Sequence, residues 1–77
     1  KKEYDLIVTN PPIRAGKKVV YQLLEDSFHY LRNGGRIYVV IRTSQGAKSL
    51  AAKLAEIFPQ VVEAEKKSGF RVYGAVK

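Results

Sequence analysis

Seven residues near the middle of the chain, 36–42 (RIYVVIR), set the tightest limit on the fold. β-branched and aromatic residues follow one another with no polar break between two arginines, a composition that fits extended, pleated backbone. Neither face of such a strand is polar, so it belongs inside a covered sheet. A second apolar run, residues 4–9 (YDLIVT), stands between charges and prolines and reads as a shorter buried strand. Between the two, residues 17–32 place Val20, Leu23, Leu24, Phe28 and Leu31 at helical spacing, with Lys17, Glu25, Asp26 and Arg32 largely off that stripe. Asn33-Gly34-Gly35 is expected to stop the helix, because glycine supplies the left-handed conformation of a C-cap.

The second half repeats the alternation. Residues 43–48 (TSQGAK) form a loop. Residues 48–58 form a helix with Leu50, Leu54, Ile57 and Phe58 on one face, ended by Pro59. A short strand is expected over residues 61–65, a polar turn over 66–69, and a closing strand from Phe70. The order β-α-β-α-β-β predicts an α/β fold with a mostly parallel sheet, helices on its faces and one antiparallel strand. The last two strands are too close in sequence to be parallel neighbours. They form a hairpin, or one of them inserts antiparallel beside the earlier strands.

Length and composition narrow the possible functions. A chain of 77 residues supports one small domain. It has no cysteine and a single histidine, His29, so neither a disulfide framework nor a structural metal site is expected. No run approaches the ~20 apolar residues of a membrane span, and the expectation is a soluble, cytoplasmic protein. The formal net charge of +7 points to a polyanionic partner, with nucleic acid the first candidate. The chain contains no methionine and enters a strand almost at once, which reads as an internal piece of a longer protein.

In a parallel β-α-β unit, binding groups gather at the carboxyl ends of the strands. The loops after the first two strands then share one rim carrying Asn10, Arg14, Lys17, Lys18, Arg42, Thr43, Ser44, Gln45 and Lys48. Asn10-Pro11-Pro12 holds its most specific chemistry. The residue before a proline is pushed into extended backbone, and consecutive prolines fix φ and contribute no N–H. That leaves the Asn10 side-chain oxygen and the Asn10 and Pro11 carbonyls as rigid acceptors. Such a pair suits an exocyclic –NH₂ group: once both hydrogens are donated, the lone pair points outward as a nucleophile without a strong base. The plainer alternative is a stiff loop exit whose asparagine satisfies local backbone. Elsewhere, Glu25 and Asp26 read as a solvated helix flank. Ser44 has no histidine or acid at triad spacing. Lys1, Lys2, Lys66 and Lys67 read as solvated, with phosphate contact the lesser alternative.

The stretch DLIVTNPPIRAGKK resembles the motif after the fourth strand of class I S-adenosylmethionine-dependent N-methyltransferases. It is most similar to the small-subunit ribosomal RNA guanine-N2 methyltransferases of the RsmC type. Asn33-Gly34-Gly35 ahead of residues 37–41 is similar to that family's step into its fifth strand, and Gln45-Gly46-Ala47 to the loop that follows. The likeness covers essentially the whole chain, in order. It implies a target-amine site at Asn10, Pro11, Pro12 and Ile13, with Ile13 packed on the base and Asn10 also at the edge of the S-adenosylmethionine site. It implies substrate contacts from Arg14, Lys17, Lys18, Arg42, Gln45 and Lys48, the cations meeting RNA phosphates.

Half of the family pattern is missing. The family forms its cofactor pocket from a glycine-rich turn after the first strand and an acidic residue at the end of the second. This chain has neither, and Gly34-Gly35 opens a strand instead of leaving one. Residues 1–77 therefore read as the C-terminal part of a single methyltransferase domain, unable to methylate alone. Related enzymes act on adenine N6 or on a protein glutamine amide. Many of those carry an aromatic residue after Asn-Pro-Pro, which Ile13 does not match. The competing reading is a non-catalytic nucleic-acid-binding or assembly module with a degenerate methyltransferase fold. Without its neighbours, the strand at residues 4–9 is left as an apolar edge, through which copies of the chain are expected to associate.

Overall fold

The apolar run at 36–42 lies within the longest strand of the structure, a computed structural model that describes residues 3–77. Lys1 and Lys2, read above as solvated, lie outside the described residues. The chain runs β1 (Tyr4–Thr9), α1 (Lys17–Tyr30), β2 (Leu31–Arg42), α2 (Ala47–Ile57), β3 (Gln60–Lys67) and β4 (Phe70–Val76). Short 3-10 turns at Ile13–Ala15 and Thr43–Gln45 precede the two helices.

The sheet has the order β1-β2-β4-β3. β1 lies parallel to β2, with Leu6 against Arg36 and Thr9 against Val39. β4 lies antiparallel to both β2 and β3. The fold is α/β with a mixed sheet, and the expectation of a mostly parallel one is corrected: two of the three ladders are antiparallel. The cause is local. The connection through α2 places β3 one strand away from β2, and β4 returns into the gap. A strand entered through the two-residue turn at Ser68 and Gly69 (φ 89°) can pair with its predecessor only antiparallel. β1, β2 and β3 still point the same way.

Two element ends also differ from expectation. α1 stops at Tyr30, and Leu31 turns extended (φ −77°, ψ 141°) to become a fully buried residue of β2. Asn33-Gly34-Gly35 therefore caps no helix. It loops out inside β2, between the pairs Tyr4–Leu31 and Leu6–Arg36. The loop is held by Lys77: the Gly34 N–H donates to the Lys77 carbonyl (3.2 Å) and the Lys77 N–H to the Gly35 carbonyl (2.9 Å). The Lys77 ammonium supplies the missing cap, donating to the carbonyls of Phe28 (2.7 Å) and Leu31 (2.8 Å) over the Phe28 ring. α2 ends as Pro59 requires, with Phe58 pushed extended (φ −108°, ψ 142°).

One core holds these elements together. Val20 and Leu24 of α1 and Leu50 and Leu54 of α2 meet alternate residues Ile37, Val39 and Ile41 of β2, with Tyr73 and Ala75 of β4 beside them. Lys53 pins α2 to α1 through Glu25 (3.0 Å), and the bond to that carboxylate raises the Lys53 pKa. Glu25 is thus a structural partner, and Asp26 accepts from the Gln22 amide (2.9 Å), so the pair forms no acid–base couple. Both helices cover the same face of the sheet, not both faces as expected. The opposite face is bare: Leu6, Val8 and Val62 are 55%, 63% and 61% exposed. Register places Tyr38, Val40 and Val72 on that same side.

At Gly35 the start of β2 folds tightly against itself and against the start of β1. A methyl group there would stand 2.8 Å from the Arg32 carbonyl oxygen and 3.0 Å from that of Tyr4. Both obstacles are backbone, so Gly35→Ala is expected to cost about 1–3 kcal/mol through overpacking. In thermal denaturation this reads as a midpoint lowered by roughly 4–8 °C per kcal/mol for a domain of this size. An unchanged midpoint would contradict the tight junction.

Candidate functional site

The loop after β1 is built by its two prolines. Pro11 is buried, and its carbonyl accepts the Ile13 N–H (2.9 Å). The Pro12 carbonyl then accepts from Ala15 (2.9 Å) and that of Ile13 from Gly16 (3.1 Å). The bare Pro11 carbonyl expected from sequence is thus already engaged once, in a three-residue turn about Pro12 (φ −77°, ψ 80°) that leads into the 3-10 turn; a carbonyl oxygen retains a second lone pair. Asn10 behaves differently. Its side chain is exposed and makes no hydrogen bond among the described residues. The plainer reading, an asparagine occupied with local backbone, is not what the structure shows. The amide is free for a ligand.

The loop after β2 reaches the same rim, as the parallel β1–β2 pair requires. Its first backbone donor, Thr43 N–H, binds the Gly69 carbonyl at 3.0 Å and so ties this loop to the turn between β3 and β4. The three segments enclose a cleft of about 680 Å³. Asn10, Pro11, Pro12, Ile13, Arg14, Arg42 and Gln45 line it, and these are the majority of the residues expected at the site. Lys17 instead borders a narrower crevice between the starts of α1 and α2, and Lys18 a groove between α1 and β1. Lys48 lines none of the three. Ile13 is half-buried against the core, so only part of it faces the cleft.

Ser68, Gly69 and Phe70 also line this cleft, and sequence reasoning missed them. They arrive because β4 sits next to β2, with Phe70 paired to Arg42. The sequence left that arrangement as one of two options. Choosing the inserted strand would have brought the turn to the rim.

The rim is strongly and one-sidedly charged. Arg14, Lys17, Lys18, Arg42 and Lys48 are all exposed, and none takes part in an ion pair among the described residues. The carboxylates of Asp5, Glu25, Glu56, Glu63 and Glu65 are paired elsewhere, on the helix layer or along the strands. α1 and α2 both start at the rim, behind Gly16 and Gly46, and neither has an acid in its first turn. Their N–H groups add to the positive potential. Among the described residues no carboxylate or histidine lines the cleft, so these residues can hold an anion and accept hydrogen bonds at Asn10 but offer no side chain to act as a general base.

The family described as methyltransferase small domain matches residues 1–74. The chain is 46% identical over 71 residues to the uncharacterized protein YbxB of Bacillus subtilis (strain 168), a match covering 92% of this chain and 35% of that protein. It superimposes with a TM-score of 0.91, at 25% identity, on the T. thermophilus 16S rRNA N2 G1207 methyltransferase (RsmC) in complex with AdoMet and guanosine. That match covers 97% of this chain and 20% of the other. A methyltransferase from Pyrococcus furiosus shares the fold, with a TM-score of 0.81 at 20% identity over the whole of this chain and 42% of that one. The chain thus spans about a third of the length of its curated relative. With the family match running from residue 1 to residue 74 and the fold shared with solved methyltransferases, the chain belongs to the methyltransferase small domain family.

Proposed function

We propose that these 77 residues are the C-terminal, target-binding part of a single S-adenosylmethionine-dependent N-methyltransferase domain. Its substrate in this reading is an exocyclic amine of RNA, guanine N2 of ribosomal RNA. The observation that carries the reading is the unengaged Asn10 amide at the mouth of a cationic cleft. The Asn10 side-chain oxygen accepts one N–H of the amine, and the free lone pair of the Pro11 carbonyl accepts the other. The nitrogen lone pair is then aimed away from both acceptors, into the space where a methyl group is delivered. This alignment asks for no base before transfer, and the surplus proton of the methylated amine is lost to water afterwards, which suits a cleft with no base among the described residues. The likeness to a methyltransferase that acts on 16S rRNA G1207 supports the choice of guanine N2.

The methyl donor implied by the family does not fit into what is described here. Gly35, of the one adjacent glycine pair, is filled by packing against the Arg32 and Tyr4 carbonyls, so it leaves no cradle for a ligand. β1 is the edge of the sheet, and no strand beyond it carries a glycine-rich turn among the described residues. Asn10 alone would touch the donor's edge. The pocket belongs, in this proposal, to polypeptide preceding residue 1. That segment covers the bare face around Leu6, Val8 and Tyr38 and pairs with β1. In the chain by itself, a second copy takes its place along β1.

Three measurements test this. In the full-length protein with RNA and methyl-labelled cofactor, Asn10→Ala is expected to lower kcat by about a hundredfold or more while KM changes little; a kcat within twofold of the parent would refute the role of Asn10. RNA binding by the 77-residue chain should weaken steeply with salt, each phosphate-contacting cation contributing about −0.7 to the log–log slope for a single strand. Arg42→Ala and Arg14→Ala should each reduce that slope by about this amount, and Lys53→Ala on the helix layer should not. A non-catalytic binding module would pass the salt test and be indifferent to Asn10→Ala. In sedimentation, the chain alone should run as a dimer and Val8→Lys as a monomer; a monodisperse parent monomer would count against pairing through β1.

A further inference from the structure

We propose that Phe70 is the platform on which the target base stacks. The inference rests on the reading of the cleft as a target-base site, and it concerns how the ring is held, not how the amine reacts. Asn10 and the Pro11 carbonyl can grip an amino group, but a flat ring also needs an apolar surface beneath it. Ile13 supplies little of that, because it is half-buried against the core. Phe70 is the one aromatic residue lining the cleft among the described residues, and it remains 38% exposed. It opens β4 directly opposite Arg42. Alternation along β2 and β4 puts Phe70, Arg42 and Val40 on the same, uncovered side of the sheet.

Its position is fixed by the backbone around it. The preceding turn is only two residues long, with Gly69 at φ 89°, a conformation that glycine adopts without strain. The Gly69 carbonyl is bound by Thr43 N–H from the loop after β2 (3.0 Å). The platform and the cationic loop are therefore tied to each other by backbone. An aromatic ring that shares its cleft with Arg42 and Arg14 matches the composition of sites that bind unpaired nucleotides, where the ring carries the base and the guanidinium groups meet phosphate. The cleft's ~680 Å³ lies within the roughly 300–1,000 Å³ of small-molecule sites. The ligand class is an unpaired purine nucleotide.

The probe is guanosine 5′-monophosphate, titrated into the 77-residue chain and followed by proton NMR. A base stacked on the ring has its H8 resonance moved upfield and shows a through-space contact between H8 and the Phe70 ring protons. Phe70→Leu is expected to abolish the upfield shift and to weaken binding about tenfold, the low end of what a lost stacking partner costs. Phe70→Tyr should keep both. An equal shift and affinity in Phe70→Leu, or no shift and no H8–Phe70 contact in the unsubstituted chain, would overturn the proposal. Should Phe70→Leu fail to fold, the contact in the unsubstituted chain decides. The two readings of the site fail separately. Methyl transfer by the full-length protein that depends on Asn10 but not on Phe70 refutes the platform alone. A retained stacking signal with transfer indifferent to Asn10 refutes the amine grip alone.

Discussion

The rim depends on the in-register parallel pairing of β1 with β2. Two parallel strands joined by a helix must end on the same side of the sheet, so Asn10 and Arg42 are brought together by chain direction before any side chain chooses a partner. The register is enforced from the other end of the structure. Ile37, Val39 and Ile41 point into the helix layer, and a slip of one residue would turn all three onto the uncovered face. Val20 and Leu24 lock the crossover helix onto the same core, and the tight approach at Gly35 leaves β1 little freedom to slide. The site geometry is thus a by-product of core packing.

What was legible in the sequence follows from which signals are local. Apolar runs with flanking charge located β1 and β2, and helical spacing located α1 and α2, because each is decided within a window of a few residues. The prolines announced both the stiff loop after β1 and the end of α2. Asn33-Gly34-Gly35 misled because a positive φ is wanted at a helix C-cap and in a loop alike. Gly34 does sit at φ 84°, but inside β2. The true cap of α1 is the Lys77 ammonium, 46 to 49 residues away, and no local pattern carries such a bond. Sheet order was invisible for the same reason. The two-residue turn fixed β4 as antiparallel to β3 but not its place beside β2, and with that place went Ser68, Gly69 and Phe70.

The charges separate in a way the composition alone does not convey. Most of the acids are engaged in pairs on the strands and helices, which leaves the excess of cations concentrated where the two helices begin. The more exposed of these pairs, Arg32–Asp5 and Lys67–Glu65, stabilise by only about 0–1 kcal/mol each. The larger effect of the pairs is on the field: by compensating cations elsewhere, they leave the positive charge of the rim uncompensated.

The expectation that most plainly failed also carries the most information. β2 is apolar on both sides, and from that the sequence argued for helices on both faces; the structure has them on one. The reasoning about β2 is sound nonetheless, because a sheet face bearing Leu6, Val8, Tyr38, Val40, Val62 and Val72 is not one that water favours. The covering elements it asks for are simply not among residues 3–77. In the proposed reading, a parallel sheet that continued past β1 would also add further strand ends to the rim, next to Asn10. In that reading the bare face and the incomplete donor pocket have one cause. The apolar face and the cationic rim meet at the end of β1.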